Sequence, residues 1–252
     1  MTSTTTGTDQ SVGRNPLVGD LRGAHAADME SQARAVRVRC HYKRADVPAP
    51  VGVLHRFRAL TGKRAAGQVL DIGAFAPEDL LGYRHIRYLA LLGATPEARR
   101  ARGDLAADQV EADPARLPFP DGAFDVVVNR FSLCCAEEPR AVLLEISRVL
   151  RPIGQLLFLE HTRAPGVVGQ AQDKAQEMLR GTRRCRLNVE VLIQVQLAGL
   201  VVRRAEWFWP AAHVRAPLVQ GVATHPDPQY ERELGWLRHS GRRTGEPPWP
   251  GR

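Results

Sequence analysis

Apolar residues in this chain gather in short runs separated by stretches whose apolar positions recur at helical spacing, a rhythm that begins near Gln68. QVLDIG is a short apolar run closed by Asp71 and Gly73, which predicts a buried parallel strand. HIRYLALL (85–92) predicts a second strand. In the following TPEARRARG, Thr95 suits a helix N-cap, Pro96 the first helical position and Gly103 the stop. QVEAD (109–113) predicts a third strand. AFDVVVNRF (123–131) predicts a fourth, after the turn formers Pro120, Asp121 and Gly122. EEPRAVLLEISRVLR (137–151) has the apolar spacing of a helix and ends at Pro152. GQLLFLEH (154–161) predicts a fifth strand, and Asn188 a cap for the helix VEVLIQVQLAG, which Gly199 stops. VVRRAEWFW and LVQGVAT supply two more strands, close enough to pair antiparallel at an edge. Strands alternating with helices at this spacing predict an α/β, doubly wound sheet.

The flanks lack that rhythm. Residues 1–33 read as a disordered leader and 225–252, with five prolines, as a loose tail. Residues 34–66 read as a helical cap containing the short amphipathic stretch VGVLHRFRAL. The α/β domain is expected over 67–224. No apolar run approaches the ~18 residues of a membrane span, and the Thr/Ser-rich start has no apolar core of a secretory signal, so a cytoplasmic setting is expected.

Composition changes this picture little. The 252 residues are 44% hydrophobic and 25% charged, ordinary for a globular protein. The net charge of +8 comes mainly from dispersed arginines, with no aromatic-interleaved basic motif, so nucleic acid is not the expected partner and has charge alone in its favour. The four cysteines, Cys40, Cys134, Cys135 and Cys185, match no zinc spacing; the adjacent pair reads as small side chains buried in a turn after a strand.

The most specific signal lies within 109–161, in VEADPARLPFPDGAFDVVVNRFSLCCAEEPRAVLLEISRVLRPIGQLLFLEH. Its LPFPDGxFD and LxExxRVLRP patterns, in order and correctly separated, resemble class I S-adenosylmethionine-dependent methyltransferases of the ubiquinone/menaquinone-biosynthesis type. EHTRAPG, CRLN, LAGL and LVQGVA are similar to the methyltransferase-like thiol-methyltransferase branch. The resemblance covers about 67–224. It implies a Rossmann-like, mostly parallel seven-stranded sheet with an antiparallel edge strand, and S-adenosylmethionine at the carboxyl ends of the strands. It also implies that Asp71 and Gly73 meet the methionine end of the cofactor, that Asp113 accepts from the adenine amino group, and that Leu117 lines the adenine pocket. Asn129 would stand where sulfonium and acceptor meet. Other readings stay open: Asp71 as a turn cap, Asp113 as a loop anchor, Asn129 as a turn residue.

Two departures fall on the same ligand. Where the family has a glycine-rich loop, this chain reads DIGAFAP, and Phe75 and Pro77 bring a ring and a lost amide to a place of close backbone approach. The second strand ends Leu91-Leu92-Gly93-Ala94 with no acid for the ribose hydroxyls; Glu97 either substitutes or belongs to the helix start. Such a loss costs about 1.5–3 kcal/mol. Three functions therefore compete. The first is a methyltransferase acting on a small-molecule thiol or hydroxyl, compatible with secondary metabolism, with His161 as candidate base or as a histidine bonded to neighbouring loops. The second is a methyltransferase fold that no longer methylates, as a repurposed biosynthetic catalyst such as a cyclase, or as a partner subunit in a homo- or hetero-dimer. The third, a nucleic-acid modifier, has only charge behind it.

Overall fold

A computed structural model describes residues 51–74, 76–100, 107–178, 185–209 and 217–227. The expected leader, much of the expected cap and almost all of the expected tail lie outside these residues.

The described chain runs α1 (Val51–Arg64), β1 (Ala66–Ile72), α2 (Pro77–Leu81), β2 (His85–Leu92), α3 (Pro96–Arg100), β3 (Ala107–Val110) and β4 (Phe124–Arg130). It continues α4 (Pro139–Val149), β5 (Leu150–His161), α5 (Gly166–Met178), α6 (Val191–Leu197), β6 (Val201–Phe208) and β7 (Leu218–Thr224). The strands form one seven-stranded sheet in the order β3-β2-β1-β4-β5-β7-β6. All pairings are parallel except those of β7, which runs antiparallel to both β5 and β6. The antiparallel strand thus stands one place in from the edge, and β6 forms the edge itself.

Side chains alternate across a strand, so each strand feeds two cores. Leu70, Ile72, Ala90, Leu92, Val127, Leu156 and Phe158 face α4 and α6, which contribute Val142, Leu143, Ile146, Val191 and Val195. Val69, Leu89, Leu91, Val126, Val128, Leu157 and Leu159 face the other way, onto Val53 and Phe57 of α1, Leu80 of α2 and Ala98 of α3. Because both faces are covered, the strands read as continuous apolar runs, as the sequence suggested.

Some elements begin or end elsewhere than the sequence predicts. β3 stops at Val110, before Asp113, because the Asp113 carboxylate accepts the Ala115 N–H (2.9 Å) and its carbonyl the Arg116 N–H (2.8 Å), which folds the backbone into a turn. β5 takes in Leu150 to Ile153, so the helix before it is shorter than 137–151. Thr95 does cap, accepting the Ala98 N–H at 3.2 Å. Asn188 does not: its amide donates to Asp173 at 3.2 Å, and α6 starts from Glu190 with no side-chain cap. The helices α2 and α5 carry too little apolar periodicity to have been read.

The motif pairing LPFPDG with ExxR is one packed unit. Arg148 of α4 donates to the carbonyls of Leu117 (3.0 Å) and Phe119 (2.8 Å) and to Asp121 (2.8 Å). Glu145 accepts the Leu117 N–H at 2.8 Å and pairs with Arg148. The turn before β4 is thus held by main-chain contacts from two helical side chains one turn apart. Arg148→Ala is expected to lower stability by about 1–3 kcal/mol, since the bonds are charge-assisted but the arginine is a third exposed. Exposed Arg140→Ala in the same helix should change it by less than about 0.5 kcal/mol. Denaturant midpoints compare the two.

Candidate functional site

Strand alternation carries Asp71, two beyond Val69, and Arg130, two beyond Val128, to the α1 face at the carboxyl end of the sheet. Both are fully buried, and Arg130 Nη1 donates to Asp71 Oδ1 at 2.6 Å. The Tyr83 hydroxyl donates to the other Asp71 oxygen. The second guanidinium nitrogen donates to the Tyr83 hydroxyl (3.2 Å) and to the Asp79 carbonyl (3.4 Å), and the guanidinium lies 5.3 Å over the Phe57 ring. Asp79 accepts from Arg58 (2.8 Å) and from the Ala76 N–H (3.0 Å). Burial works against the charge on Arg130, but Asp71, Tyr83 and Asp79 outweigh it and raise its pKa further. Gly73, next after β1, has φ +83°, open to glycine alone at no cost. Its N–H continues the ladder to Leu92 (3.0 Å), and the Thr95 N–H donates to the Ala74 carbonyl (3.0 Å), joining the loops after β1 and β2.

On the next strands, Leu92 is buried in the core and Gly93 is exposed, so no carboxylate stands at the end of β2. Asp113 is exposed beyond β3, with one oxygen in the turn described above. Leu117 is buried behind it, among the α4-facing residues.

At β4 and β5 the polar residues point to the opposite face. Asn129 and Glu160, in line with Val127 and Phe158, are fully buried on the α4 side. Asn129 Nδ2 donates to Glu160 at 2.8 Å, and Ser132 donates to the Asn129 carbonyl oxygen, so both ends of the amide are engaged. Phe131 adopts φ +52°, the one non-glycine with positive φ among the described residues. The reversal it makes lets the N–H groups of Leu133 (2.9 Å) and Cys134 (3.2 Å) donate to Glu160. Complete burial nevertheless outweighs these donors and pushes the Glu160 carboxyl up to about 8. His161 is 3% exposed and lies tilted against the Phe131 ring, 5.0 Å between centroids, with Nδ1 3.5 Å from Cys134 Sγ. Its Nε2 is buried without a hydrogen-bond partner among the described residues. Burial, then Cys185 and Glu160, push the Cys134 thiol well above the usual range, so it stays protonated. Beyond β5 the same edge opens into a cleft of about 600 Å³ lined by both signs of charge, including Glu138, Arg140, Arg163 and Glu190.

Residues 76–158 match the family described as "Methyltransferase domain". A ubiquinone/menaquinone biosynthesis C-methyltransferase from Roseobacter denitrificans is 35% identical over 126 residues, which is 46% of this chain and 49% of that protein. This stretch is thus similar to methyltransferase domains. A human thiol S-methyltransferase is 53% identical over 45 residues, 18% of each chain. The solved structure of a putative methyltransferase from Bacillus halodurans superposes with a TM-score of 0.58 at 15% identity, covering 70% of this chain and all of that one, which shows the shared fold. The chain spans half or less of the length of the two curated relatives, from Roseobacter denitrificans and human.

The residues expected to meet S-adenosylmethionine differ in their surroundings. Gly73 follows β1 with a left-handed backbone, and Asp113 is exposed beyond β3. The ribose position has Leu92 and Gly93 instead of an acid, while Asp71 is bonded to the protein's own arginine. Sequence reading missed Arg130, Tyr83 and Glu160 as site residues. For Arg130 and Glu160 a signal was available: a charged residue at a position whose strand alternation points inward.

Removing one partner of the buried pair should be severe. Asp71→Ala is expected to cost about 3–5 kcal/mol by leaving Arg130 unpaired, whereas Asp71→Leu with Arg130→Met should recover most of it; equilibrium unfolding measures both. Glu160 gives a pH signature. Its pKa is raised from 4.5 to about 8, so the folded state keeps a proton that the unfolded chain loses. That stabilisation is complete below pH 4.5 and is lost as pH rises toward 8. Glu160→Gln should flatten the stability profile across this window, which unfolding midpoints measured at several pH values would read.

Proposed function

We propose that this domain is an S-adenosylmethionine-dependent methyltransferase acting on a small-molecule thiol or hydroxyl. The observation that carries the reading is the match of 76–158 to the methyltransferase domain, in which β4 ends in the buried polar residues Asn129 and Arg130. Gly73 and Asp113 would hold the cofactor, the first by close backbone approach and the second by accepting from the adenine amino group. When bound, S-adenosylmethionine supplies an electrophilic methyl group, and its transfer in line needs chiefly proximity and a deprotonated nucleophile. His161 serves as the base: its Nε2 is buried and without a hydrogen-bond partner among the described residues. A thiol acceptor, with an ordinary pKa of ~8.5, asks least of such a base. Asn129, both amide ends engaged, acts as a positioning residue for Glu160 rather than on the substrate. The human thiol S-methyltransferase among the relatives supports a sulfur acceptor.

A second reading, a methyltransferase fold without methyl transfer, is favoured by one observation: the ribose position is apolar and Asp71 is held by Arg130. Calorimetric titration with S-adenosylmethionine separates the two. Binding that Asp113→Ala weakens by about ten- to a hundredfold supports the first reading; absence of heat and of any thermal shift at millimolar cofactor sinks it. If the first holds, His161→Gln is expected to lower turnover of a small thiol by about a hundredfold while leaving cofactor affinity unchanged.

A further inference from the structure

Two polar atoms near the carboxyl end of the sheet, Nε2 of His161 and Oε1 of Gln220, are buried without a hydrogen-bond partner among the described residues. Their residues are 3% and 8% exposed and stand on the neighbouring strands β5 and β7. His161 lies opposite Leu218 and Gln220 opposite Leu159, and Leu159, Leu218 and Val222 all pack on the α1 side. His161 and Gln220 are therefore diagonal neighbours on that one face, about 7–8 Å apart at the backbone and within reach of one small molecule.

Both atoms are hydrogen-bond acceptors, because the groups on their far sides fix them so. Gln220 Nε2 donates to Glu206, directly across on β6, at 3.0 Å, and the other Glu206 oxygen accepts from Arg56 of α1, also at 3.0 Å. The amide nitrogen thus faces β6 and turns the carbonyl oxygen toward the β5 side. Cys134 directs its thiol proton to the Phe131 carbonyl (3.4 Å), so its sulfur accepts from His161 Nδ1–H (3.5 Å) and the ring keeps its lone pair on Nε2. Arg186 clamps the loop that carries Cys134. Its N–H donates to the Cys134 carbonyl and its guanidinium to the carbonyls of Ala136 and Glu137, each at 2.5 Å, which draws Cys185 up beside Cys135. Native interiors rarely leave one buried acceptor unmet, so two on one face call for a donor from outside the chain.

We propose that His161 and Gln220 form a two-point subsite for the methyl acceptor, selective for small thiols that carry a second hydrogen-bond donor two carbons from the sulfur. The thiol S–H donates to His161 Nε2, and the second group, a hydroxyl or an amide N–H, donates to Gln220 Oε1. A plain alkyl thiol has one hydrogen to give and leaves the Gln220 carbonyl unmet, and a site built around a donor rejects the analogue that lacks it. That a thiol bound here is then methylated rests on the function proposed above; the selectivity itself does not.

The matched probes are 2-mercaptoethanol and 1-propanethiol. Each is titrated against the full chain, its cysteines kept reduced by a phosphine, with and without S-adenosylhomocysteine, and binding is followed by the histidine ring signals in NMR spectra. The wild type is expected to bind 2-mercaptoethanol about tenfold more tightly than 1-propanethiol, with the His161 signal moving. Gln220→Met is expected to bind the two alike, with folding checked by circular dichroism, and kcat/KM with S-adenosylmethionine should show the same preference and the same loss. Equal affinity of the wild type for the two thiols in both conditions overturns the subsite, and decides the matter should the variant not fold. A preference that survives in Gln220→Met overturns it too, since the two atoms then hold a bridging water only. Preference in binding with no methyl transfer to either thiol leaves the subsite standing and removes the methyltransferase reading; methyl transfer without preference does the reverse.

Discussion

A single buried ion pair organises the working end of this sheet. Arg130 and Asp71 bring opposite charges to the tips of the two central strands, where neither could stand alone. From that pair the structure branches outward: Tyr83 and the Asp79 carbonyl fasten the loop after β1, Arg58 ties that loop to α1, and Phe57 closes the guanidinium from above. The described part of the path from β1 to β2 is thus fastened by side chains at several points.

The opposite face carries a second polar cluster built on different physics. Asn129 and Glu160 hold each other without a full cation nearby, and Glu160 answers burial by keeping its proton rather than by finding a counter-charge. Strand alternation separates the two clusters although Asn129 and Arg130 are adjacent in sequence. The charged cluster is a fastening; the neutral one supports the turn that carries Cys134, beside His161 with its unpartnered nitrogen.

The fold was legible because its strands are buried on both faces and its turns carry specific residues. QVLDIG, HIRYLALL and AFDVVVNRF left little alternative, and LPFPDG with ExxR is recognisable because Arg148 and Glu145 bond to main chain, which only those residue types at that spacing can do. The site was less legible. Asp71 and Asn129 were singled out by position, but their partners, Arg130 and Glu160, come from other strands, and pairing across a sheet has no signature along one chain. The cysteines illustrate the same limit. Cys134 is buried in a turn as its surroundings suggested, yet the approach of Cys185 depends on a clamp formed fifty residues away.

That clamp has an evolutionary corollary. Since Arg186 grips the carbonyls of Cys134, Ala136 and Glu137, the segment before α6 and the approach to α4 cannot vary independently. Substitutions in one will be epistatic with those in the other, so selection for a new acceptor at this edge would have to revise both loops together or first give up the arginine that joins them.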